Sequence, residues 1–193
     1  MAWSKSGTTT LTGTSDQINI TDLTANTFNM VLVHALDTGN IASRLNLGSG
    51  SIDTGTNYAS RVSESGVADT TQTSLAWISI SEAEWSEHFT IAYIANIATE
   101  EKLVIQSNVT RSTAGAGSAP LRSERVAKWA NTSNQFDHAR STNYGSGDYV
   151  TSSNISVLGS NGVESMTVQD GAVYYETDTN KAYVLYNNSW TEL

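Results

Sequence analysis

The chain has no cysteine and only one proline, Pro120, in 193 residues. Without cysteine there is no disulfide framework and no thiolate metal site. A small secreted domain would normally need such staples. This fold must therefore rest on its core, on oligomerisation, or on both. Charge is also scarce, with 15% of residues charged against 38% hydrophobic. Chains too polar to fold usually carry high charge, and this one does not. Ten Lys and Arg are scattered among nineteen Asp and Glu, for a net charge of −9. Phosphate recognition needs clustered cations, which argues against nucleic acid and against an anionic membrane surface as partners. No apolar run approaches the ~20 residues of a membrane helix. The opening "MAWSKSGTTTLTG" lacks the apolar stretch of a secretory signal, so folding in a cytoplasm is the expectation.

What the chain does have is Ser, Thr, Asn and Gly, punctuating short runs of Val, Ile, Thr and Tyr. β-Branched and aromatic residues suit a pleated, half-buried surface. The runs "QINI" (17–20), "TFNMVLVHAL" (27–36), "SRLNL" (43–47), "NYASRVS" (57–63), "SLAWISI" (74–80) and "HFTIAYIANI" (88–97) are expected strands. So are "KLVIQSNV" (102–109), "ERVAKWANT" (124–132), "NISVLG" (154–159) and "ESMTVQ" (164–169). One stretch invites a helix. Ser81 and Glu84 have capping-box spacing, which predicts a helical turn or two over 82–87. Polar and Gly-rich stretches at 48–57, 113–120 and 141–148 read as loops. "GSNG" at 159–162 is the best boundary, separating a body, 1–160, from a C-terminal segment, 161–193. Many short strands without crossover helices or a fixed repeat predict an all-β fold, a jelly-roll-like β-sandwich with a C-terminal β-meander.

Catalytic signatures are weak. His34, His88 and His138 share no ligand spacing, and His34 reads as a hydrogen-bonded core or interface residue. No serine sits in a Gly-x-Ser-x-Gly elbow. "ETDTNK" (176–181) alternates oxygen-bearing side chains but lacks the glycine and distal glutamate of a calcium loop, so it reads as a turn. Glu82, Glu84 and Glu87, like Glu100 and Glu101, read as solvated acidic faces. The expectation is no catalytic residue, no metal and no cofactor. Trp3, Trp77, Trp85, Trp129 and Trp190 could stack on sugars, but such residues more often fill a core or a subunit interface.

The last stretch, "DGAVYYETDTNKAYVLYNNSW" (170–190), reads as three strands. These run from Ala172 to Thr177, Ala182 to Tyr186 and Ser189 to Leu193, joined by turns. Alternate residues share a face, so apolar bulk falls on both faces of the meander. A lone three-stranded sheet usually buries one face and is marginal by itself. The pattern predicts packing on both sides, by the body or by a neighbouring subunit. It marks Tyr174, Tyr175, Tyr183, Tyr186 and Trp190 as a candidate oligomer interface.

Four stretches together carry a resemblance: 43–74, 93–109, 118–135 and 145–159. Their Asp-x-Gly-x-Asn-Tyr-x-x-Arg segment, Asn-Ile-Ala-Thr-x-x-Lys strand pair and Lys-Trp-Ala-Asn-Thr strand resemble a group of virion structural proteins of tailed bacteriophages, many marine or environmental. The matching positions are Asp53, Gly55, Asn57, Tyr58, Arg61, Asn96, Lys102, Lys128 and Trp129. "LNLGSGS" (45–51) and "FDHARSTNYG" (136–145) depart from the pattern. The ending is similar to a hairpin module near the ends of phage fibre, spike and decoration proteins. The resemblance implies a non-enzymatic virion protein, an external head decoration, head fibre or tail-appendage subunit. Its partners would be other virion proteins and copies of itself, with a trimer favoured. A receptor- or carbohydrate-binding sandwich that meets a host-surface glycan is the alternative. An enzyme would need two carboxylates facing one cleft.

Overall fold

Strand β9 (Lys102–Arg111) shows how this chain builds its sheets: every second residue is buried along its whole length. That period of two is the signature of a strand with one covered face. The structure is a computed structural model that describes residues 3–81, 85–111, 113–162, 171–187 and 189–193, with side chains for all of these but 38, 40, 85 and 86. The chain divides after Gly162 into two compact units.

The first unit holds twelve strands among its described residues. They are β1 (Ser4–Thr10), β2 (Gln17–Ile20), β3 (Phe28–Ile41), β4 (Ser43–Gly48), β5 (Tyr58–Glu64), β6 (Thr70–Leu75), β7 (Ile78–Ser79), β8 (Trp85–Ala95), β9, β10 (Leu121–Trp129), β11 (His138–Asn143) and β12 (Asn154–Ser160). They form an eight-stranded sheet in the order β1-β12-β3-β8-β9-β10-β5-β6 and a four-stranded sheet in the order β2-β11-β4-β7. Every ladder is antiparallel. The quartets β1-β12-β3-β8 and β2-β11-β4-β7 are the two sheets of a jelly roll, whose chain crosses from one sheet to the other at successive strands. Two hairpin insertions widen the first sheet: β5-β6 between β4 and β7, and β9-β10 between β8 and β11.

Between the sheets lies the apolar core. Ile18, Ile20, Leu45, Leu47, Ile78 and Ala139 come from the smaller sheet, and Val31, Val33, Ala92, Ile94, Ile155 and Val157 from the larger. Four strands cannot cover eight. Beyond β8 the inward side is mixed: Tyr58, Val104, Ala127 and Trp129 extend the core, while Thr90, Gln106, Asn108, Thr110, Ser123 and Arg125 are buried polar groups. Buried polar groups usually find partners, although Ser123 Oγ has none among the described residues. Thr90 Oγ1 donates to Asn108 Oδ1 at 2.8 Å and Asn108 Nδ2 donates to Thr110 Oγ1 at 2.9 Å. The Arg125 guanidinium donates to Ser60 Oγ and to Gln72 Oε1, both at 2.9 Å. At the end of β4, Gly48 bridges to Ile52, and a Cβ there would meet the Ser51 carbonyl oxygen at 2.0 Å. Only glycine allows that approach.

The second unit contains β13 (Val173–Glu176), β14 (Lys181–Tyr186) and β15 (Ser189–Glu192), a meander in that order. Its first turn places Asn180 at φ 63° and its second places Asn187 at φ 51°. Asparagine tolerates this left-handed geometry better than most residues. The sheet is therefore the one expected from the tail sequence.

Several sequence expectations need correction. The run 27–36 does not stop at the "DTGN" turn, since β3 continues to Ile41. The run 74–80 is not one strand. Ser74 adopts φ 54° and the chain breaks between β6 and β7. The helical turn over 82–87 is replaced at its end by β8, where Glu87 pairs with Leu36 and Arg111. A two-sided ladder outweighs a local cap. Residues 82–84, like the expected strand 164–169, lie outside the described residues. The loop read at 141–148 begins as the end of β11.

Candidate interaction surfaces and the motif residues

Of the nine residues that carry the phage resemblance, Tyr58, Asn96, Lys102 and Trp129 are buried, and together with Asp53 they make contacts that hold the fold together. Asp53 lies in the loop between β4 and β5. Its carboxylate accepts hydrogen bonds from Trp129 Nε1 at 2.7 Å, Gly55 N at 2.8 Å and Asn57 Nδ2 at 2.9 Å. Its carbonyl accepts from Tyr58 Oη at 3.1 Å and Asn46 Nδ2 at 3.0 Å. The buried rings of Tyr58 and Trp129 stack with centroids 6.3 Å apart. Partial burial pushes the Asp53 pKa up, but the bonds from Trp129, Asn57 and Gly55 outweigh it and hold the pKa below the ordinary 3.8. A depressed carboxyl pKa contributes stability above the unfolded value that is lost as pH falls through the folded one. Asp53→Ala is expected to cost about 2 kcal/mol, from three lost bonds to a charged acceptor. Urea unfolding at pH 7 and pH 3 checks this, with the cost smaller at pH 3.

Asn96 plays a similar part. Its side chain donates to Asn26 O at 3.0 Å and accepts from Phe136 N at 2.8 Å, tying three loops together. Lys102 is fully buried, and its ammonium donates to the carbonyls of Ile97, Ala98, Glu100 and Asn131 at 2.8, 3.3, 2.6 and 2.8 Å. Glu100 thus serves that ammonium through its carbonyl. Lys128 pairs with Glu101 at 2.7 Å on the outer side of the sheet, and Arg61 faces Asp69 at 3.9 Å.

The three histidines are separated. His34 Nε2 lies 3.2 Å from Glu87 Oε1, and Glu87 also pairs with Arg111 at 3.1 Å. Glu87 therefore belongs to an ion-paired strand position, not to an acidic turn. His138 Nδ1 contacts Asp137. His88 is buried on the inward side of β8, and neither ring nitrogen has a partner among the described residues. No group of three or more His, Cys, Asp or Glu could hold a metal ion among the described residues. Within the meander turn, Glu176 accepts from Thr179 Oγ1 and from Tyr183 Oη.

Sequence reasoning missed a cation sandwich. The Arg44 guanidinium lies between two rings, 3.4 Å from the Trp77 centroid and 3.2 Å from that of Tyr144. β11 pairs with β4 and puts Thr142 opposite Arg44, which brings Tyr144 alongside. No spacing in the sequence announces that contact.

Two surfaces expose apolar side chains in clusters. The first is the meander. Pairing of Tyr174 with Tyr183 and of Leu185 with Trp190 puts these four on one face. Tyr174 stacks on Tyr183 at 6.2 Å and meets Trp190 edge-on at 6.0 Å. Val173, Tyr175, Val184 and Tyr186 share the other face through the same registers. Tyr174, Tyr175, Tyr186 and Trp190 are exposed, Tyr186 to 72%, and Tyr183 is half-buried. The second surface is the outer side of β8, β9 and β10. Tyr93, Ile105 and Val126 form one cross-strand row, and Phe89 and Val109 another. Leu103 lies beside them. Ile105 is 63% exposed, Leu103 59% and Val126 53%. An open groove of about 470 Å³ runs along this side between Arg61, Leu103, Ile105 and Val126. No protein-family model, curated protein or solved structure matches this chain.

Proposed function

We propose that the chain is a non-enzymatic structural subunit of a tailed-phage particle, carried outside the shell or tail as a head decoration, head fibre or tail appendage and assembled as a homo-oligomer. The observation that carries this reading is the meander, a three-stranded sheet with exposed aromatic residues on both faces. Identical copies can cover two different faces of one sheet in a head-to-tail arrangement, each face meeting the opposite face of a neighbour, and such contacts close as a ring when the rotation between copies closes and otherwise run on as a filament. Three copies make the smallest ring of this kind, which supports a trimer. The jelly-roll body is compatible with this role, although that architecture serves many functions. The tailed-phage setting is supported by the sequence resemblance. Gold-labelled antibody against the chain tests it on purified particles. Regular labelling of the particle exterior is expected, and absence of the chain from particles sinks the reading.

One observation favours a receptor-binding role as the second reading. The Tyr174, Tyr183 and Trp190 face offers stacked rings of the kind that hold sugars. Saturable glycan-array binding that disappears in Trp190→Ala would favour it over a purely structural role.

A further inference from the structure

We infer that the outer side of β8, β9 and β10 is a self-association surface, covered by the same side of a second copy of this chain. The inference rests on the assembly reading above and names a second interface for it, distinct from the meander.

Polarity is reversed on part of this sheet. On β9 the buried residues are Lys102, Val104, Gln106, Asn108 and Thr110, while the outward residues include Leu103, Ile105 and Val109. On β10 the buried residues are Ser123, Arg125, Ala127 and Trp129, and Val126 is the apolar residue among outward Arg122, Glu124 and Lys128. In a sheet with one wet side, apolar residues point in and polar residues out. On β8 and β9 the side facing solvent is the more apolar one. Its six exposed residues (Phe89, Tyr93, Leu103, Ile105, Val109 and Val126) make a contiguous patch across three strands. At 40–63% exposure each, they present on the order of 500 Å² of apolar surface, near the upper end for a monomer's largest patch. With a polar rim, such a patch makes up most of the ~800 Å² per partner of a standard interface.

Charge selects the occupant. Four ion pairs ring the patch: Arg61–Asp69, Arg111–Glu87, Arg122–Glu124 and Lys128–Glu101. These use four of the ten cations and four of the nineteen acids. The paired charges cancel, Glu100 beside Leu103 adds one negative charge, and the remaining six cations and fourteen acids put −8 of the −9 on the rest of the chain. A basic partner would be drawn elsewhere, and an acidic one would gain nothing here. Another copy of the same nearly neutral, mixed-sign surface can approach with little repulsion and exchange partners across a two-fold axis. Face-to-face sheets pack about 10 Å apart with outward side chains interdigitated, and the groove beside Leu103, Ile105 and Val126 provides the relief for that fit. A two-fold contact here, combined with a ring through the meander, extends the assembly beyond one ring.

The test is solution mass by sedimentation velocity on three full-length proteins: the natural chain, Ile105→Arg/Val126→Asp, and Tyr186→Ser/Trp190→Ser. Both sheet positions are more than half exposed, so the fold should survive, and far-UV circular dichroism checks it. The expected result is that the sheet variant has half the mass of the natural chain, with self-association weakened ~30-fold or more. If only the meander variant loses mass, the inference fails and the assembly reading stands. A monomeric natural chain overturns the inference, and particle labelling then judges the assembly reading separately.

Discussion

Replacing His88 with leucine is expected to abolish a loss of stability on the order of 4 kcal/mol that the natural body suffers between pH 6.5 and pH 3. His88 is buried on β8 between Ala35 of β3 and Thr110 of β9, with no partner for either ring nitrogen among the described residues. Burial, helped by the charge of nearby His34, pulls its pKa from 6.5 to about 3. The sign follows from proton counting. As pH drops below 6.5 the unfolded chain takes up a proton that the folded chain refuses until about pH 3. Wherever the unfolded state binds more protons, stability falls as pH falls. The slope is about 1.4 kcal/mol per pH unit, and across the window the loss is on the order of 4 kcal/mol. Leucine binds no proton and leaves no unpaired ring nitrogen. His88→Leu should be at least as stable as the natural chain at pH 7.5 and increasingly more stable below pH 6. Asp53 and other carboxylates also lose stability in acid, but they do so equally in both proteins. The difference between the two urea-unfolding curves therefore isolates His88. Parallel pH profiles would show that the imidazole finds a partner or a proton in the folded state.

The fold was legible where pattern and pairing agree. "QINI" alternates, and it forms β2 over the same four residues. β11 was not legible. Its "HARSTN" has one apolar side chain, yet it sits between β2 and β4 and buries Ala139, Ser141 and Asn143. Ser141 is held there by a 2.9 Å hydrogen bond to the phenol of Tyr149, a contact across a loop that no local pattern encodes. Polar β1 was missed for a related reason: "SKSGTTT" is an edge strand, made by its ladder to β12 and not by its own hydrophobicity. β9 is the most instructive. Its presence could be read, but its orientation could not. Binary patterning would turn Leu103, Ile105 and Val109 inward, and the structure turns them outward. The inward phase is set by Lys102 at one end and by the buried Asn108–Thr110 bond at the other. For the candidate surfaces, the meander was readable because both faces are local. The sheet surface was not, because it is assembled from three strands whose common phase only the ladders reveal. The motif positions were identifiable as a group, but sequence could not say that Asp53, Asn96 and Lys102 hold loops rather than bind a ligand.

Lys102→Met should be the most damaging single substitution among the motif positions, lowering stability by about 4 kcal/mol. The side chain is fully buried, and its ammonium is the shared donor for four carbonyls. Three of them belong to Ile97, Ala98 and Glu100 in the turn between β8 and β9. The fourth, Asn131, lies in the loop after β10. One cation thus closes a tight turn and ties it to a neighbouring loop. Methionine fills nearly the same volume and supplies no donor, so the carbonyls face one another without compensation. Each buried acceptor left unpaired costs ~1–3 kcal/mol, reduced where water can enter. In a domain of this size ~4 kcal/mol corresponds to about 8–16 °C in Tm. Lys102→Arg should not restore the loss, because a planar guanidinium directs its donors in a fork and cannot point at four carbonyls gathered around one nitrogen. Thermal unfolding of both variants checks the magnitude. Hydrogen exchange checks the mechanism, since protection should fall first in residues 96–102 and 130–136. A Tm within about 3 °C of the natural chain for either variant would mean that the carbonyls are satisfied without the ammonium, and that the resemblance marks Lys102 for some reason other than the fold.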